Sequence, residues 1–169
     1  CAIVTGSATV LADDPQLSVR DERFAVEDQL RQPLRVVLDS RLRIPETAAV
    51  LKKPGRCLLA HVPGVEPKIA ACDHFCAGTD KVDLAALLAH LASLECNEVL
   101  VEAGPTLLGG FVEAGLWDEL IIYQAPKLLG SDARGLVELS LTRMDQAIEA
   151  TITDYTSLGD DLRICLRPR

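Results

Sequence analysis

Short apolar runs with no polar face most constrain how this chain can fold. Val36-Val37-Leu38 and Val99-Leu100-Val101 are uninterrupted, and strands of that kind belong to mainly parallel sheets covered by helices on both sides. Related runs occupy residues 2–5, 35–39, 57–62, 98–102 and 119–124, separated by polar residues, prolines and glycines. Residues 83–95 place Leu84, Leu87, Leu88, Leu91 and Leu94 at spacings of three and four behind Asp83, which predicts an amphipathic helix with an aspartate cap. A second helix is expected from Pro105 to Ala114, because proline suits a first helical turn and Gly115 a left-handed stop. Residues 150–158 and 161–166 read as an antiparallel hairpin turning at Leu158-Gly159-Asp160 and closing the sheet edge. Residues 62–80, with two prolines and two glycines, are expected to form a variable connection between strands. The fold class is therefore α/β: a mainly parallel sheet flanked by helices on both faces, with a C-terminal antiparallel hairpin.

A length of 169 residues with 49% hydrophobic content fits one domain with one core. No apolar stretch approaches the roughly 20 residues that cross a bilayer, so a membrane partner is not expected. The opening Cys1-Ala2-Ile3-Val4-Thr5 has no basic leader and reads as a strand entered part-way. With 25 acidic against 17 basic residues, a net charge of −8 and no Lys/Arg block, nucleic acid is an unsuitable partner. The six cysteines lie mostly inside apolar stretches without the spacing of a disulfide scaffold, which points to a reducing cytoplasm.

The segment from Glu98 to Gly110 carries the most chemistry: a strand ending in Glu102, a glycine turn, then a helix whose free N–H groups favour an anion. Gly104 lets a phosphate approach the backbone, Thr106 offers a hydroxyl, and Gly109 and Gly110 leave room for close packing. A dinucleotide pyrophosphate suits such a turn. An ordinary strand-to-helix turn has the same form, and the G-x-G-x-x-G spacing is absent. Asp39-Ser40-Arg41 directly follows another apolar run, where ligands bind in open α/β sheets. Ser40 and Arg41 match the charge and acceptors of a 2′-phosphate, as on NADPH. A solvated turn is the other reading, and Arg43 lies a step further from the strand. Asp13, Asp14, Pro15, Leu17 and Arg20 form either a polar pocket rim or a helix cap with Arg20 paired to Asp21 or Glu22. Cys72-Asp73-His74-Phe75-Cys76 lacks the fourth ligand and second ligand pair of a closed zinc site, so no metal is assigned. No nucleophilic triad groups His61, His74 and His90.

Four blocks in order, residues 7–20 (SATVLADDPQLSVR), 31–40 (RQPLRVVLDS), 101–106 (VEAGPT) and 125–135 (APKLLGSDARG), resemble the reductase domain of the bacterial bifunctional riboflavin-synthesis deaminase–reductase. The resemblance spans nearly the whole chain. It implies a dihydrofolate-reductase-like fold and reduction of 5-amino-6-(5-phosphoribosylamino)uracil to the 5-phosphoribitylamino product, with NADPH as cofactor and ribose C1 as acceptor. By the same resemblance Thr9, Asp13, Ser40, Gly104, Pro105, Thr106, Leu107, Leu108, Gly109 and Gly110 match NADP-contacting positions. Leu17, Arg20 and Glu102 match substrate-contacting ones, Arg20 suiting the ribose phosphate. Glu102 would either hydrogen-bond the pyrimidine or polarise the reacting centre; no side chain is assigned as a general acid. The chain is expected to be a reductase domain over residues 1–169 that lacks the family's opening strand, its Ser-Leu-Asp-Gly-like turn and Ser-Trp-Ile segment, and the zinc deaminase domain of the full-length protein. An exposed sheet edge would then invite a homodimer. A pteridine or folate reductase of the same fold and a non-catalytic nucleotide-binding fragment are the alternatives.

Overall fold

A computed structural model describes residues 1–27 and 29–169. The backbone separates into two compact units, Cys1–Leu107 and Leu108–Arg169.

The first unit is built on five parallel strands, β1 (Ala2–Gly6), β2 (Leu34–Leu38), β3 (Cys57–His61), β4 (Asp73–Cys76) and β5 (Val99–Val101), in the order β4-β3-β2-β1-β5. Ile3 lies beside Arg35, Arg35 beside Cys57, and Leu59 beside His74. Side chains alternate across a strand, so one face carries Arg35, Val37, Cys57, Leu59 and Cys72. All but Arg35 pack in one cluster with Val10 of α1 (Ser7–Asp13) and with Val50 and Leu51 of α2 (Ala49–Lys52). Phe75 points to the opposite face, where its ring stacks 4.7 Å from His90 of α3 (Leu84–Ser93). Leu87 and Leu91, one turn apart on that helix, are fully buried. Each such side chain contributes roughly 1.5–3 kcal/mol when removed from water. Asp83 caps α3 by accepting a hydrogen bond from the Ala86 N–H at 2.9 Å, as its position implies.

Two expectations need correction. The segment 62–80 is no mere connection: it contains β4, a four-residue strand whose mixed sequence DHFC hides it because its backbone pairing with β3, not an apolar pattern, holds it. Val99-Leu100-Val101 is not covered on both sides. Val36 and Val37 are fully buried, but Leu100 is 57% exposed because β5 is the edge strand of this sheet.

The second unit carries β6 (Leu120–Gln124), β7 (Ala150–Leu158) and β8 (Asp161–Pro168) as an antiparallel sheet in the order β6-β8-β7. The hairpin turns at Gly159, whose φ of 64° suits glycine. It joins β6 rather than extending the five-stranded sheet, and β7 bulges between Ile152 and Asp154. The helix α4 (Pro105–Glu113) runs from the end of the first unit into the second and stops before Gly115 at φ 65°. Among the described residues no helix is long and apolar enough to cross a membrane.

Candidate functional site

The carboxyl ends of β5, β1 and β2 lie side by side, and each hands over to residues with polar work to do. After β5 the Glu102 N–H donates to the Val4 carbonyl at 2.9 Å, extending the ladder to the residue before the glycine turn. A Cβ added to Gly104 would meet only the Thr9 hydroxyl, at 4.0 Å. The backbone at the start of α4 is therefore open on the side facing Thr9, as close approach of a phosphate requires. Two positions separated by 95 residues of chain, Thr9 and Gly104, are thus brought together.

A cavity of about 620 Å³ opens in the first unit, lined by residues 14–20 together with Ile3, Leu100 and Glu102. Leu17, Arg20 and Glu102 all reach it. Its loop is fixed at both ends. Asp14, with a left-handed backbone (φ 43°) just past α1, accepts a hydrogen bond from the Ala49 N–H at 2.7 Å. Gln32 takes the Val19 N–H on its carbonyl oxygen at 3.0 Å and returns its amide N–H to the Val19 carbonyl at 2.9 Å. Leu17 itself has φ 47°, a conformation uncommon outside glycine that tends to persist where surrounding structure enforces it.

Arg20 is exposed and its pairing with Asp21 does not occur. Asp21 is occupied by Arg23, whose guanidinium lies 2.5 Å away and holds the Asp21 carboxyl below its usual range. Among the described residues no carboxylate pairs with Arg20, which leaves a guanidinium beside the cavity for an anion.

Asp39, at the end of β2, is fully buried; one carboxylate oxygen accepts the Ile44 N–H at 2.8 Å and the other lies 3.7 Å from Arg43 Nε. Arg43 Nη2 donates to Ser7 Oγ at 3.0 Å. The arginine held at this corner is thus Arg43, which the sequence places second to Arg41; Arg41 is exposed and makes no ion pair among the described residues. Ser40 is half-buried, and its carbonyl accepts the Val62 N–H at 3.4 Å.

The remaining positions are less gathered. Asp13 is exposed at the last turn of α1 and does not line the cavity; Asp14 does. Pro105 and Leu107 are half-buried in α4 and Thr106 is exposed there. Leu108, Gly109 and Gly110 belong to the second unit, where Gly109 lies tight against the Glu138 backbone. Gln32 went unnoticed in the sequence; a lone glutamine before a proline carries no signal until the fold sets it beside Val19. His74 Nε2 bonds the Ile69 carbonyl at 2.8 Å and its ring meets that of His61 edge-on at 5.7 Å. Among the described residues no group of three His, Cys, Asp or Glu side chains is placed to hold a metal ion.

A parallel α/β domain whose glycine turn opens a helix at the carboxyl end of a strand has the form of the class that binds phosphate-bearing ligands there. Residues 1–163 match the RibD C-terminal domain family, and the chain belongs to that family. It is 39% identical over 180 residues to the riboflavin biosynthesis protein RibD of Escherichia coli K12, covering 98% of this chain and 47% of that protein. It is 30% identical to the 5-amino-6-(5-phosphoribosylamino)uracil reductase of Buchnera aphidicola from Acyrthosiphon pisum, covering 99% of this chain and 86% of that one. Among solved structures, RibD of Acinetobacter baumannii superposes with a TM-score of 0.88 at 34% identity over 99% of this chain and 47% of its own. The chain spans about half the length of the RibD proteins it matches.

Proposed function

We propose that the protein reduces 5-amino-6-(5-phosphoribosylamino)uracil to 5-amino-6-(5-phosphoribitylamino)uracil with NADPH, as part of a longer chain carrying a deaminase domain. The observation that carries this reading is the convergence of Leu17, Arg20 and Glu102 on one cavity, with the open Gly104 backbone facing Thr9 nearby. The residues present fit the cofactor: Thr9, Gly104, Pro105, Thr106 and Leu107 would hold its phosphates at the α4 start, with Ser40 and Arg43 for a 2′-phosphate. When bound, the nicotinamide supplies a hydride for the ribose C1.

This chain's own work is then positioning. Arg20 binds the ribose phosphate as a charge-assisted donor. Leu17 supplies an apolar wall. Glu102 accepts hydrogen bonds from the pyrimidine and orients it. The Gln32–Val19 and Asp14–Ala49 bonds keep the loop from relaxing, so geometry set before binding is retained during reaction. A homodimer belongs to the same reading, supported by the exposed Tyr123, Ile152 and Tyr155 on the second unit's sheet.

Nicotinamide absorbance during turnover tests the proposal. Oxidation of NADPH that requires the deaminated ribosylaminopyrimidine supports it. Tight binding of a dihydropteridine with no response to the ribosylaminopyrimidine would overturn it.

A further inference from the structure

Near the amino-terminal ends of β2 and β3, Arg35, Cys57 and Cys72, the residue before β4, stand in a row. Arg35 is the register partner of Cys57, and Leu58 that of Asp73, so Cys57 lies beside Cys72. Neighbouring strands run about 4.8 Å apart, inside the roughly 4.4–6.8 Å Cα separation that a disulfide spans. Both thiols are buried, Cys57 5% and Cys72 9% exposed. Both belong to the cluster formed with Ile69 and Leu51.

The third member is unusual. Arg35 is 1% exposed, and its Nη2 donates to the Lys53 and Gly55 carbonyls at 2.7 and 2.8 Å. Its Nε and Nη1 are buried without a partner, and among the described residues no carboxylate pairs with it. A buried cation left with unused donors is costly, and the soft groups beside it are sulfurs that can carry negative charge.

We propose that Cys57 and Cys72 form a peroxide-sensitive dithiol, with Cys72 the attacking thiolate, Arg35 its counter-ion and Cys57 the resolving thiol. The neighbouring Cys57 thiol, together with the Arg35 charge, lowers the Cys72 thiol below its ordinary range, while Cys57 is pushed upward. The Cys72 thiolate attacks one oxygen of hydrogen peroxide, forming a sulfenic acid and releasing hydroxide, which takes up a proton to become water. The Cys57 sulfur then attacks the Cys72 sulfur. The S–O bond breaks, the oxygen leaves as a second water with the Cys57 proton, and the disulfide remains. Both sulfurs are oxidised and both peroxide oxygens reduced.

The test treats the intact protein with equimolar hydrogen peroxide and maps its peptides without reduction. The expected result is a Cys57–Cys72 cross-linked peptide lighter by two hydrogen atoms, reversed by a dithiol reductant. Cys57→Ser should yield a Cys72 sulfenic acid that dimedone traps, and Cys72→Ser should yield no adduct at Cys57. Arg35→Met should slow Cys72 alkylation by about tenfold, the equivalent of one pKa unit, and Arg35→Lys should restore most of the rate. If Arg35→Met unfolds the protein, the salt dependence of wild-type Cys72 alkylation still reports on a buried counter-ion by staying flat. Oxidation confined to the exposed Cys1 and Cys76, or dimedone labelling at Cys57 with Cys72 inert, would overturn the proposal.

Discussion

Gln32 and Val19 close a ring of two reciprocal hydrogen bonds, 3.0 and 2.9 Å, between a side-chain amide and a backbone amide 13 residues earlier. The ring secures the outer end of the loop that brings Arg20 to the cavity. Gln32→Leu keeps the volume and removes both bonds, each worth about 1 kcal/mol net. The expected result is a KM for the pyrimidine raised by about tenfold with the cofactor KM unchanged; steady-state kinetics with each ligand varied separately checks it.

Arg20 itself should matter through its charge. A charge-assisted contact to a phosphate is worth about 1.5–3 kcal/mol, so Arg20→Ala should weaken substrate by roughly 10–100-fold and leave NADPH affinity alone. Equal losses in both affinities, measured by calorimetric titration, would contradict the assignment.

Much of this architecture is legible from residue pattern alone, because the strongest signals are local. The leucine spacing behind Asp83 marks α3, and Gly115 marks where α4 stops. Leu17, Arg20 and Glu102 are suggested by family resemblance and meet at one cavity. What escapes sequence reading depends on partners distant in the chain. β4 is a strand because β3 offers it a parallel edge, and its own residues alternate without an apolar stripe. Asp39 is inaccessible and Arg43 is tied to Ser7, facts set by the packing of β1 against β2 that no spacing rule reveals.

That arrangement ranks two arginines. Arg43 is fixed by Ser7 at 3.0 Å, while Arg41 makes no ion pair among the described residues. A pre-positioned guanidinium loses less freedom on binding. Arg43→Ala should therefore narrow the NADPH-over-NADH preference more than Arg41→Ala, and adding Ser40→Ala should narrow it further. The ratio of kcat/KM for the two cofactors is the readout; an unchanged ratio in all three variants removes the 2′-phosphate assignment.

The hairpin of the second unit should be acid-sensitive. The Arg163 guanidinium, bonded 2.8 Å from Asp154, and then the Thr156 hydroxyl hold the Asp154 carboxyl below its ordinary value of 3.8. A carboxyl depressed in the folded state adds stability that is complete above its unfolded pKa and is lost as pH falls through the lower, folded one. Asp154→Asn should lower the melting temperature near neutrality and flatten its decline below pH 3.8, so that variant and wild type converge in acid; thermal melts across that pH range check it.

Gly109 separates packing from phosphate binding. A Cβ placed there would collide with the backbone of Glu138, which cannot swing aside as a side-chain tip does. Overpacking of this kind costs about 1–3 kcal/mol, so Gly109→Ala should lower the melting temperature by several degrees, at roughly 2–4 °C per kcal/mol for a chain of this size. Gly130→Ala meets nothing within 4 Å and serves as the control expected to be neutral. Should Gly109→Ala weaken the cofactor while the melting temperature stays at the wild-type value, the residue would be acting at the phosphates rather than against Glu138, and the packing explanation would have to be abandoned.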